Sequence, residues 1–206
     1  MKRLVCVLLA LVPCLVFAQE TPPAKVEKKK AAPLEDIERG FFFAGRGGFF
    51  GVINPPGVGS AFSAGQAVGV EAGFDIGERL EIALFFLGSL NRMSSSYTGL
   101  SQTGSLVSGD FGAFTPGLDV KVRIVGFDDS QEVKRTWIYA RAGAGVSFYA
   151  PAELIRQFDV FVTGGVGVEY YTQLRHLIIG LEADFNFFAL TQAFGFAVYP
   201  TVKYAF

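Results

Sequence analysis

The feature that most restricts this chain is where its ionisable residues stand. From Gly40 onward the sequence divides into eight stretches of alternating character, and in the core of each the charged side chains keep to one parity. The stretch Leu177 to Phe188 shows the pattern. Leu177, Ile179, Leu181, Phe185 and Phe187 alternate with Gly180, Glu182, Asp184 and Asn186. Such a period of two, with one apolar and one polar face, marks strands that turn one side to oil.

The other predicted strands run from Gly40 to Val52, Ala64 to Ile76, Arg79 to Asn91, Phe114 to Gly126, Arg135 to Phe148, Phe158 to Tyr171 and Phe194 to Phe206. The polar face is built of Gly, Ala and Ser with one or two charges per strand, and the other face of Val, Leu and Phe. A soluble barrel would be polar outside and dense there in Lys, Glu and Thr. Small residues with sparse mixed charges suit instead the crowded lumen of a small barrel. The bulky apolar face suits lipid, where a charge at mid-membrane costs about 2–4 kcal/mol. The pattern predicts an all-β fold: an eight-stranded antiparallel up-and-down transmembrane β-barrel over residues 39–206. Its closed ladder would pair every backbone group within the bilayer.

Three connections are expected on the side of the termini: Gly77-Glu78, Phe127 to Lys134 and Gln173 to His176. The longer stretches Ile53 to Ser63, Arg92 to Gly109 and Ala150 to Gln157, with the short Leu190 to Ala193, fall on the other side, the asymmetry of outer-membrane barrels. The charged turn Phe127 to Lys134 is the exception, since a hairpin needs only two or three residues.

Lys2 and Arg3 precede the apolar run Leu4 to Phe17, and Val16-Phe17-Ala18 has the small-residue pattern of a cleavage site, so residues 1–18 are expected to be a cleaved signal peptide. The run is too short for a spanning helix, which needs roughly 20 residues. Lipidation at Cys14, after Leu11-Val12-Pro13, is the alternative. Residues 19–38 read as a flexible linker rich in Pro, Ala and Lys. Its Lys28-Lys29-Lys30 is a solvated tail or a contact for anionic lipid head groups or peptidoglycan.

Both cysteines, Cys6 and Cys14, lie in the signal segment, so disulfides and Cys-based metal sites are excluded from the mature chain. A net charge of −1 provides no basic field for nucleic acid. The glycine runs Ala142 to Gly145 and Gly164 to Gly167 lie inside strands with no helix following, so neither is a phosphate cradle. His176 is the only histidine and falls on the turn side near the termini, away from the outer leaflet and without a second histidine for a zinc site. No enzyme activity and no cofactor are expected.

The candidate lumen charges are Arg46, Glu71, Asp75, Glu81, Asp119, Lys121, Arg123, Arg141, Glu169, Glu182, Asp184 and Lys203, seven acids against five bases. They read as a salt-bridged plug, because an eight-stranded barrel has room only for side chains. An ion path or an acid–base carboxylate pair is the other reading. Trp137, Tyr139, Tyr170 and Tyr171 are expected in an aromatic girdle, although Trp137 stands on the polar parity. Pro200 cannot donate to a ladder and requires a bulge or a gap in pairing.

The closing stretch, FGFAVYPTVKYAF, resembles the last strand of bacterial outer-membrane barrels, whose C-terminal aromatic is read by the barrel-assembly machinery. That resemblance implies Tyr204 and Phe206 as the assembly signal and outer-membrane lipid as the surroundings. Four runs, RGFFFAGRGGFFGVINPPG (39–57), GFDDSQEVKRTWIYARAGAG (126–145), GVEYYTQLRHLIIGLE (167–182) and the terminal GFAVYPTVKYAF, resemble the myxobacterial adventurous gliding motility outer-membrane proteins of the CglE type. The resemblance implies a non-enzymatic outer-membrane component of gliding by single cells, able to pass between cells by outer-membrane exchange. Periplasmic or outer-membrane motility proteins would be its partners, and Asp128, Asp129, Gln131, Glu132 and Lys134 are the candidate docking turn. The alternative is a generic small outer-membrane barrel that anchors the envelope or passes hydrophobic solutes.

Overall fold

The computed structural model describes residues 37–53, 62–93, 99–100, 106–107, 110–130, 132–150 and 158–206. The expected signal segment, the linker up to residue 36, Gln131 and most of the three longer loops lie outside the described residues. The strands are β1 (Phe41–Ile53), β2 (Phe62–Ile76), β3 (Leu80–Met93), β4 (Gly99–Leu100), β5 (Leu106–Val107), β6 (Phe111–Asp128), β7 (Lys134–Ala150), β8 (Phe158–Tyr171), β9 (Leu177–Phe188) and β10 (Ala193–Ala205). Eight of them close into one barrel in the order β1-β10-β9-β8-β7-β6-β3-β2, every neighbour antiparallel. The barrel closes because β10 pairs back onto β1, from Phe42 opposite Ala205 to Ile53 opposite Phe194.

Two expected connections differ. The polar stretch 92–109 contains the small sheet β4–β5. The charged turn is shorter than expected, because Phe127 pairs with Thr136 and Asp128 with Lys134, leaving 129–133 as the connection. It is internally braced. The Asp129 carboxylate accepts from Val133 N (3.1 Å) and pairs with Arg135 Nε (2.8 Å).

The two faces separate as the alternation requires. Val68, Leu84, Leu118 and Phe185 are each more than half exposed on the outer wall. All twelve lumen-charge candidates are buried on the inner one. So continuous an apolar belt would be a liability in water and is what the hydrocarbon core requires.

Pro200 sits in a regular register with β9, opposite Leu181. Its irregularity lies on the other edge. The β1–β10 pairing runs to Arg46 opposite Thr201 and resumes at Phe49 opposite Val198 without a change of register. The gap spares the missing N–H a partner. Pro116 repeats the device. The β6–β7 pairing stops at Phe114 opposite Phe148 and resumes at Gly117 opposite Gly145.

The aromatic girdle needs correction. Only Tyr170 faces outward; Trp137, Tyr139 and Tyr171 are buried inside the barrel. Strand β7 keeps strict alternation, and the bulge is in β6, where the register shifts between Arg123 and Val125 and leaves Ile124 and Val125 both exposed. Trp137 is therefore a lumen residue, and its indole Nε1 donates to Lys134 O (3.2 Å).

Candidate functional site in the barrel interior

The lumen is stacked in layers. Nearest the termini is an apolar seal of Phe42, Ala83, Trp137, Tyr171, Ile178 and Ala205. Toward the loop end is a second seal, with Phe50, Phe85, Phe111, Tyr149, Phe161, Phe188 and Tyr199 among its members. The charges form two tiers, and the one toward the termini extends beside the first cluster to the β2–β3 turn, where Arg123 Nη1 donates to Glu78 O (3.4 Å).

The tier nearer the termini is balanced, three carboxylates against three cations. Arg123 Nη2 bonds both Asp75 and Glu81 at 2.8 Å, and its Nε bonds Glu169. Lys203 pairs with Asp75 (3.0 Å) and Glu81 (2.7 Å), and Lys121 with Glu81 (2.9 Å). In the central tier four carboxylates face two guanidinium groups. Arg46 Nη1 lies 2.9 Å from Glu71 and 3.0 Å from Glu182. Arg141 pairs with Asp119 (2.5 Å), Glu71 (3.3 Å) and Glu182. Asp184 is held more loosely, 3.9 Å from Arg46 and 3.8 Å from Arg141. Arginine suits this role because its fork serves several carboxylates at once.

Rings cap the cations from both sides. The Arg46 guanidinium lies 5.3 Å from the Phe85 ring and 5.4 Å from Tyr199. Lys203 Nζ lies 3.7 Å from Phe42. Tyr139 donates to Glu182 (2.9 Å) and Tyr171 to Glu169 (3.2 Å), tying the girdle residues that proved internal into the network.

Sequence reasoning missed these inward aromatics and also Asp159. That carboxylate, fully buried at the loop end, accepts from Leu190 N (2.7 Å), Thr191 N (3.0 Å) and Thr191 Oγ1 (2.7 Å). It pins the β9–β10 connection to the start of β8. Asp159 falls on the polar parity of β8, a signal available in the alternation. His176 stacks on Tyr204, 5.2 Å between centroids, with Nδ1 2.8 Å from Ala205 O, so the ring braces the end of β10. Tyr204 and Phe206 face outward with Phe41 and Phe43, forming an aromatic cluster at that seam. Of the candidate docking residues, Asp128, Glu132 and Lys134 are exposed, whereas Asp129 is engaged by Arg135. Among the described residues no group of three or more His, Cys, Asp or Glu is placed to hold a metal ion.

The closed eight-strand order has counterparts among solved structures. Neisserial surface protein A (NspA) superposes with a TM-score of 0.61 at 12% identity, over 83% of this chain and 100% of that one. The outer membrane protein OprG from Pseudomonas aeruginosa gives 0.52 at 12% identity, over 84% of this chain and 100% of that one. The fold is that of the small bacterial outer-membrane barrels. With its apolar outer belt, it places the protein in the outer membrane. No family model matches the sequence, and no curated protein matches it.

Proposed function

We propose that this protein is a sealed, non-enzymatic outer-membrane anchor, a barrel that holds its periplasmic segments at the membrane and passes no polar solute. The observation that carries this reading is the filled lumen: two ion-paired tiers packed with two apolar clusters. A channel needs waters along its axis, whereas here each cation is engaged by carboxylates or rings. Hydrophobic-solute passage along the axis meets the same obstacle, since a greasy molecule would have to part buried ion pairs. Purified barrel reconstituted in liposomes is expected to cause no swelling in small sugars and no steady conductance in planar bilayers. Reproducible conductance steps would sink the sealed-barrel reading.

The motility role rests on the sequence resemblance, and the exposed Asp128, Glu132 and Lys134 are where a periplasmic partner would dock. Replacing Asp128 to Lys134 with Asn-Gly is expected to leave a heat-modifiable barrel on gels while abolishing single-cell gliding. Unchanged gliding in that strain would remove the docking turn from the proposal.

A further inference from the structure

The residues that lead into β1 do not simply enter the barrel from its rim. Glu38 N donates to Arg175 O (3.4 Å), and its carboxylate pairs with Arg175 Nε (2.5 Å), in the β8–β9 connection. Arg39 Nη1 donates to Glu78 O (2.7 Å) in the β2–β3 turn. In the strand order these hairpins are separated by β6–β7 one way round and by the β1–β10 seam the other, so they stand across the mouth from each other. Ile37 packs against the apolar seal of Phe42, Trp137, Tyr171 and Ile178. The Arg39 guanidinium lies 5.4 Å from the Tyr171 ring and 5.9 Å from Trp137. Gly40, at φ 142, turns the chain from the mouth into β1 while its carbonyl accepts from Asp75 N (2.8 Å).

We propose that residues 37–40 are a strap that closes the periplasmic mouth of the barrel, latched by the Arg39 guanidinium in a slot formed by Trp137 and Tyr171. A strand entering from the rim needs none of these contacts. The cation–ring attraction strengthens as the site is shielded from water, and the carbonyl of Glu78 fixes the direction of the fork. Because the latch is the chain's own side chain, tension on the segment before Ile37 is transmitted to the slot. A partner that held this segment would draw Arg39 out and uncover a ring-lined site fitted to a cationic side chain. The strap rests on the sealed-barrel reading and deepens it by naming the element that shuts one end.

Trp137 is the only tryptophan in the protein, so its fluorescence reports on the slot without labelling. In proteoliposomes of the full mature chain, the Arg39→Ala barrel is expected to show an acrylamide quenching constant raised by roughly two-fold or more, because local opening admits the quencher. Arg39→Lys retains a cation over the rings and is expected to fall between the two. Folding of each variant is read from heat-modifiable migration. A folded Arg39→Ala barrel with wild-type quenching overturns the strap. Should that variant not fold, Glu38→Gln, which removes only the exposed link to Arg175, carries the same test: raised quenching supports the strap and wild-type quenching overturns it. Bilayer conductance recorded on the same samples keeps the two readings apart. Current through the wild-type barrel defeats the seal, whereas the quenching comparison alone decides the strap.

Discussion

Arg141→Met is expected to cost about 3–5 kcal/mol of barrel stability, the range for removing one partner of a buried ion pair. The two tiers differ in how they bear the loss of a cation. Loss of Arg123 leaves three carboxylates with two lysines nearby. Loss of Arg141 leaves Glu71, Asp119, Glu182 and Asp184 with Arg46 alone, and Arg46 bonds only Glu71 and Glu182 closely. Methionine nearly fills the volume, so the loss is electrostatic rather than a cavity. Urea unfolding in lipid vesicles, followed by heat-modifiable migration, measures it. Adding Asp119→Asn removes the carboxylate whose short bond is to Arg141 Nη2, and the double variant is expected to recover part of the loss, a non-additive result. A shift of under about 1 kcal/mol for Arg141→Met would place the tier in a water-filled lumen, since exposed pairs are worth that little.

The faces of this barrel were legible in the sequence because period two is a local property. Glu182 and Asp184 could be assigned inward from Leu181 and Phe185 alone. What they meet was not legible. Arg46 bonds Glu182 across 136 positions of sequence, and only barrel closure brings β1 to face β9. The inward aromatics failed for a related reason. A ring on the polar parity contradicts the local rule, and it fits only where the neighbouring strand supplies space. Phe85 faces Gly117, where an added Cβ would come within 2.4 Å of the ring, and Tyr139 faces Gly167 at the same distance. Glycine and ring are complementary only once the register is known. The signal was therefore present as an excess of both, 22 Phe and 25 Gly, without the pairing that makes sense of it. Trp137 lies near a strand end, where a girdle is expected, but stands on the polar parity; it is buried inside, so parity is the better guide. The shortened charged turn shows the reverse limit: Phe127, Asp128 and Lys134 look like loop by composition, yet the ladder continues through them.

The seam between the first and last strands carries the other large effect. At Gly48 an added Cβ would stand 2.1 Å from the Val198 carbonyl oxygen, which is backbone and cannot swing aside. This is also where pairing lapses opposite Tyr199 and Pro200, so Gly48 lets the chains approach where one ladder bond is already missing. Gly48→Ala is expected to push β1 from β10, disturbing the pairing on either side of Arg46 and costing about 1–3 kcal/mol or more, as forced overpacking does. Gly45→Ala, three residues earlier on the same strand, is the control, since nothing lies within 4 Å of its added Cβ. That variant is expected to fold as the wild type does. Urea midpoints in vesicles compare them, and hydrogen exchange at Val198, Tyr199 and Thr201 localises the damage. Equal midpoints for the two variants would mean that β10 shifts along β1 without loss, and that closure tolerates slack at Pro200. A selective fall for Gly48→Ala, with early exchange in β10 while β6 and β7 stay protected, would identify the seam as the place where this barrel begins to open.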